Sequence, residues 1–175
     1  MAGTGTFSAF SSSTSNSGNN FSAGTVTITD NDLDVAALSL SGAKPNDSDT
    51  SCLKVIYTGS LASNVRLYAT VTGTLAPYLN VVVTRGTNTS PFGDCTNFSA
   101  DPTNYIGQGN GVVYSGLLSA FPSTWAAGVV DAPGAVESWA TSEEHDYRFV
   151  VTLADNNAAQ GLSSGATFTW EAQNT

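Results

Sequence analysis

Apolar and polar residues alternate one for one, without a fault, over two stretches of this chain. In Val65–Val71, Val65, Leu67, Ala69 and Val71 fall on one side and Arg66, Tyr68 and Thr70 on the other. In Tyr147–Leu153, Tyr147, Phe149, Val151 and Leu153 share one side. A period of two is that of a β-strand with one buried face. Looser versions occupy Phe21–Thr29 (Val26, Ile28), Val35–Ser41 (Ala36, Leu38, Leu40) and Tyr78–Arg85 (Leu79, Val81, Val83). Ser51–Tyr57 sets Leu53, Val55 and Tyr57 against Cys52, Lys54 and Ile56. Ala166–Ala172 points Phe168 and Trp170 inward and Thr167, Thr169 and Glu171 outward. Asp30-Asn31-Asp32, Gly42–Thr50, Gly59–Ser63 and Asp155–Gly165 read as turns. Val112–Leu118 fits a strand or the start of a short helix, and Ser119–Val130, with Trp125, Ala126 and Ala127, is the best helical stretch. Gly86–Asn110 reads as a long loop and Asp131–Glu144 as an irregular insert. Strands at about ten-residue spacing, with one or two short helices, predict a mainly β chain: an antiparallel two-sheet sandwich of jelly-roll type.

The start of the chain breaks the pattern. Phe7, Ala9 and Phe10 sit in an otherwise Gly/Ser/Thr segment. Exposed aromatics invite association, so a solvated tail has little use for them. The following residues, SSSTSNSGNN at 11–20, hold no large apolar side chain and read as a flexible tether. The chain therefore divides into an N-terminal strand with its tether, residues 1–20, and a sandwich domain, residues 21–175. A strand with no hairpin partner can fold back on its own domain or add to another subunit's sheet.

Composition narrows the function classes. Charged residues make up 11% of the chain, against roughly 25% in ordinary globular domains. Five basic residues against fourteen acidic ones give a net charge of −9, so no basic footprint for nucleic acid or an anionic membrane is present. The acidic surface keeps subunits apart in solution by a repulsion that salt screens. No apolar run approaches the roughly 18–20 residues of a membrane-spanning helix. Met1-Ala2-Gly3 is neither basic nor apolar, which reads as a chain whose leader, if it had one, has already gone. Cys52 and Cys95 are the two cysteines. One disulfide is the expectation in a chain of this secreted-style composition, two buried thiols the alternative. The bridge would close a loop of roughly 44 residues, worth on the order of 4 kcal/mol in the chain-entropy view.

Candidate chemistry is sparse. The single histidine, His145, stands in Glu143-Glu144-His145-Asp146, four residues that together could hold a cation or simply lead into a strand. A zinc protease of the usual kind needs two histidines one helical turn apart and a glutamate base. Asp30, Asp32 and Asp34 form DNDLD without the glycine and distal glutamate of an EF-hand loop. They read first as an acidic turn and second as a calcium site, and so do Asp47 and Asp49. Gly107, Gly109 and Gly111 lack the strand–helix frame and lysine of a phosphate loop. No G-x-S-x-G elbow occurs. Among the tryptophans, Trp170 is in phase with Phe168 and belongs to the core, whereas Trp139, in the insert, is the one expected at a surface contact. With Trp125 they also admit a sugar-stacking platform. No catalytic residue and no required cofactor follow from these patterns.

Three stretches together carry a resemblance: the start FSAF followed by SNSGNNFSAGTVTITDND, then LSLSGAKPNDSDTSCLKVIYTGSLASNVRLYA, and the end FVVTLADNNAAQGLSSGATFTWEAQN. They resemble the TasA/camelysin family of secreted bacterial proteins, in the cysteine-bearing form of its actinobacterial branch. The turn L-x-G-x-K-P-x-D at Leu40–Asp47 and the terminal TFTWEAQ are its most specific pieces. The resemblance implies export, a jelly-roll fold and assembly into extracellular fibres of a biofilm matrix. It implies that Gly5, Thr6, Phe7, Ser8, Ala9 and Phe10 form a donor strand completing a sheet of the next subunit, so that the partner is the chain itself, with other matrix components as further candidates. The camelysin name implies instead a secreted metalloendopeptidase. A monomeric adhesive or carbohydrate-binding sandwich is the remaining alternative.

Overall fold

The computed structural model describes residues 11–12, 21–22, 28–31, 38–88, 91–134 and 138–174; for 11–12, 21–22 and 28–30 it describes backbone pairing alone. The strands are β1 Ser11–Ser12, β2 Phe21–Ser22, β3 Ile28–Asp30, β4 Ser48–Tyr57, β5 Ser63–Gly73, β6 Leu79–Thr87, β7 Ser99–Ala100, β8 Val112–Leu117, β9 Val129–Val130, β10 Glu143–Leu153 and β11 Ser164–Asn174. They form two sheets that pack as a sandwich. One runs β1-β11-β5-β9 with β2 also on β11; the other runs β3-β4-β10-β6-β7 with β8 also on β6. All pairings are antiparallel except β2 with β11.

The alternation of the sequence becomes the two facing layers. Leu53, Val55 and Tyr57 of β4, Val65, Leu67 and Ala69 of β5, Val81 and Val83 of β6, Tyr147 and Phe149 of β10, and Phe168 and Trp170 of β11 are buried between the sheets. A chain of rings runs through this layer. Tyr114 meets Phe121 at 4.3 Å, Phe121 meets Phe168 at 5.1 Å, Phe168 meets Phe149 at 4.9 Å, Phe149 meets Trp170 at 5.8 Å and Trp170 meets Tyr147 at 5.4 Å. Such tilted and edge-to-face pairs add about 0.5–1.5 kcal/mol each beyond the area they bury.

Four expectations need correction. Leu38–Ser41, the described part of the expected strand Val35–Ser41, is in no ladder. Leu38 and Leu40 still pack against the core, but the Ser39 N–H donates to the Asp49 carboxylate at 2.6 Å. The expected helix over Ser119–Val130 is two three-residue 3-10 turns, Leu118–Ala120 and Trp125–Ala127, followed by β9. The Pro122 carbonyl accepts the Ala69 N–H at 2.8 Å and Phe121 is buried, so this segment is held along the edge of β5. Residues 11–20 are not all tether, since Ser11 and Ser12 pair with Gln173 and Ala172. Trp139, expected at the surface, is wholly buried.

The disulfide is present. Cys52 and Cys95 are joined with a Cα–Cα distance of 5.2 Å across a sequence separation of 43. Cys52 lies on the outer face of β4, and the Gly93 N–H donates to its carbonyl at 2.8 Å. The long loop is thus fixed to the outside of the sheet, where the Phe98 ring lies 5.0 Å from the Arg148 guanidinium. The loop's far end needs a glycine: Gly111 has φ +70°, and a Cβ there would stand 2.3 Å from the Arg85 carbonyl oxygen.

Candidate functional site

The four-residue acidic cluster around His145 does not exist as a cluster. Glu143–Asp146 lie in β10, and successive strand residues point to opposite faces. Glu143 and His145 share the inward phase of Tyr147 and Phe149. Glu144 and Asp146 point outward, and Glu144 pairs with Lys54 Nζ at 2.7 Å on the neighbouring strand. That pair raises the Lys54 pKa, chiefly through the hydrogen bond from the ammonium to Glu144.

What His145 joins is a polar plug at one end of the inter-sheet core. Arg85 follows Val81 and Val83 in the inward phase of β6 and is 8% exposed. Its Nη1 is 3.2 Å from Asp131 Oδ2 and its Nε 3.2 Å from Asp101 Oδ2. The same Nε donates to His145 Nδ1 at 3.2 Å, which leaves His145 Nε2 to face Glu143 Oε1 at 2.9 Å. Tyr147 donates to Asp131 Oδ1, and Tyr105 donates to Asp101 Oδ2 at 2.9 Å. The Trp139 ring lies edge-on to the imidazole at 4.5 Å. The plug ties the disulfide loop, through Asp101 and Tyr105, and also Asp131 and Trp139, to the ends of β6 and β10.

A cation of this group is Arg85 itself, with its Nε on His145 Nδ1 and its Nη2 3.4 Å from His145 Nε2. No group of three His, Cys, Asp or Glu side chains is placed to hold a metal among the described residues. Sequence reasoning did not find Arg85, Asp101, Asp131 or Tyr105. The available signal was Arg85 in phase with Val81 and Val83, because a charge on an inward position requires buried partners.

Of the other candidates, Asp32, Asp34 and the donor segment Gly5, Thr6, Phe7, Ser8, Ala9 and Phe10 lie outside the described residues. Asp30 closes β3, with only its backbone described. Asp47 accepts the Lys44 N–H at 2.7 Å, and Asp49 accepts the Ser39 and Thr50 N–H groups. Both are turn carboxylates bonded to their own backbone. Trp170 is core as expected. Trp125 is half-buried outside β5, with the Arg66 guanidinium 4.6 Å over its ring and its Nε1 donating to the Glu171 carbonyl at 3.2 Å.

Four tyrosines carry a measurable consequence. Burial, with the Asp131 charge second, pushes Tyr147 well up. Burial, then the bond to Glu171, pushes Tyr68 up to about 12. Burial also raises Tyr105 and Tyr114. A folded-state pKa above the unfolded one stabilises the fold fully below the unfolded value of 10.0, and for Tyr68 that contribution is lost as pH rises through about 12. Phenolate absorbance of the native protein should therefore lag behind that of the protein unfolded in guanidinium over this range. Superimposed curves would refute the assigned surroundings.

The remaining feature is an edge. β5 lines one side of β11 over its whole length, from Ser164 to Asn174. The other side of β11 is paired among the described residues by β1, at Ala172 and Gln173, and by β2, at Phe168 and Thr169. Both partners come from the chain's N-terminal part. No helix among the described residues is long and apolar enough to cross a membrane. No protein-family model matches the chain, and no curated protein matches it.

Proposed function

We propose that this chain is a non-enzymatic, secreted structural subunit that polymerises head to tail, its N-terminal segment Gly5–Phe10 adding as a strand to the sandwich of the next copy. The observation that carries this reading is the ladder of Ser11–Ser12 on β11. The residues directly after the phenylalanine-bearing segment already run as a strand on a sheet edge. That edge is eleven residues long and takes only two-residue partners from the described part of its own chain. Export is supported by the disulfide, which belongs to oxidising compartments.

The energetics suffice. A six-residue donor makes a handful of backbone bonds at about 1 kcal/mol net each. Burying two phenylalanine side chains adds roughly 2–3 kcal/mol apiece. One donor and one acceptor per subunit make a heterologous contact, which propagates as an open filament. The metalloendopeptidase reading is disfavoured because the lone histidine is committed to Arg85 and Glu143.

Sedimentation and negative-stain imaging of the full chain at high concentration test the proposal. Long filaments of uniform width are expected. A monomer at every concentration would overturn it in favour of a sandwich that acts singly.

A further inference from the structure

We infer that His145 and Arg85 form an acid-sensitive latch at one end of the sandwich: the neutral imidazole accepts the Arg85 Nε–H, and a second proton on the ring breaks that bond and drives the guanidinium off the histidine. The latch does not depend on whether the chain polymerises.

The donor and acceptor chemistry of the contact sets the rule. Arg85 Nε can only donate, so His145 Nδ1, 3.2 Å away, accepts through a lone pair. The ring proton then belongs to Nε2 and goes to Glu143 Oε1 at 2.9 Å. Arg85 Nη2 is 3.4 Å from the same Nε2, so the guanidinium lies along the ring with two nitrogen–nitrogen contacts. A second ring proton has to occupy Nδ1, where it meets an N–H that cannot become an acceptor. Arginine keeps its charge in proteins, so the histidine is the member that changes.

The surroundings divide into groups that draw a proton to the ring and one that repels it. On β10, Glu143 draws it, and so does Asp131, whose Oδ2 is 3.7 Å from Nε2. Arg85, from β6, repels it. Asp101 and Tyr105 of the disulfide loop bear on the ring through Arg85, to which both are joined. The Tyr147 hydroxyl is spent on Asp131 Oδ1. On β4 the residue opposite His145 is the apolar Val55, and Trp139 meets the ring edge-on at 4.5 Å. The carboxylates face Nε2 and the Arg85 Nε faces Nδ1. The charged ring is therefore favoured by its neighbours only once Arg85 has moved away.

Both states can be reached. The His145 side chain is 12% exposed and that of Glu143 24%, which gives solvent protons a way in. Arg85 displaced from the ring still has Asp101 and Asp131, each at 3.2 Å. Acid thus exchanges one set of contacts for another at this end of the sandwich and leaves no charge stranded.

The chain has a single histidine, so the nitrogen NMR signals of its imidazole need no assignment. The isotope-labelled full chain is titrated from about pH 8 to about pH 5, the span in which histidine side chains change charge. At the upper end Nδ1 should carry no proton. On acidification Nδ1 should gain one, and the Arg85 Nε–H signal should move with the same midpoint, as should the indole N–H of Trp139. His145→Gln presents Arg85 with an amide oxygen that takes up no proton in this span, so there the Arg85 signal should hold still while the fold persists. A ring protonated on Nδ1 at the upper end, a ring that does not titrate across the span, or a titration that leaves the Arg85 signal stationary would each overturn the latch. The same movement of Arg85 in His145→Gln would overturn it too, since the cause would then lie in another group.

Discussion

Replacing Arg85 by alanine should cost the domain about 3–5 kcal/mol, the range found when one partner of a buried ion pair is removed. Arg85 faces both Asp101 and Asp131, at 3.2 Å each, and the Asp131 side chain is only 3% exposed. Without the guanidinium, the Asp131 carboxylate stays buried beside the Tyr147 hydroxyl and the His145 ring but has lost the arginine's permanent charge. The substitution also removes the contact that Asp101 and Asp131 share. Since domains of this kind hold roughly 5–15 kcal/mol in all, the variant should lose a large share of its stability. Denaturant titration at neutral pH measures it. A double replacement, Arg85→Met with Asp131→Leu, should recover part of the loss, because removing both charges leaves nothing unpaired. A loss under about 1 kcal/mol for Arg85→Ala, the scale of an exposed pair, would contradict a desolvated plug.

The second large effect is expected from the disulfide. Cys52→Ala with Cys95→Ala releases a loop closed across 43 residues, which the chain-entropy view values at about 4 kcal/mol. At roughly 2–4 °C per kcal/mol for a chain of this size, the midpoint of thermal unfolding should fall by about 8–16 °C. Packing adds to the entropy. The loop covers the outer face of β4, β6 and β10, and Gly86 and Arg148 lie directly beneath Phe98. Loss of the bridge should therefore expose that face, seen as faster amide exchange at Thr84 and Arg148 than at Phe149 in the core. An unchanged midpoint would mean that the loop is held by its other contacts alone.

The sandwich was readable in the chain because each long strand repeats the same alternation. Val65–Val71 and Tyr147–Leu153 carry it without exception, and both lie within strands that bury those faces. The extra residues of each strand were harder to see. Glu143 and His145 keep the inward phase of β10 but are polar, so a hydrophobicity pattern stops at Tyr147. Arg85 extends β6 in the same manner. Its partners, Asp101 and Asp131, come from irregular segments, and the bond to His145 spans 60 residues. Nothing local announces a contact of that range. Trp139 was misplaced for a related reason: its burial comes from the imidazole beside it and the paired Ser63 backbone across from it, not from a strand of its own. The helix expected near Trp125 rested on propensity, and tertiary contacts along β5 override a weak local preference.

The proposed donor segment rests on its residue types alone and lies outside the described residues. Two phenylalanines ahead of a run of serines are the sequence signal for a strand in need of a sheet, and the residues directly after them, Ser11 and Ser12, pair with the opposite end of the chain. Deleting residues 1–11 puts the donor role to the most direct test. The shortened chain should keep its unfolding transition to within about 1 kcal/mol, since the core formed by the described residues runs from Leu38 to Ala172 and surface changes usually cost little. It should sediment as a monomer and show no filaments under the stain that reveals them for the intact chain. Filaments of ordinary length and width from the shortened chain would show that subunits are joined by some other surface.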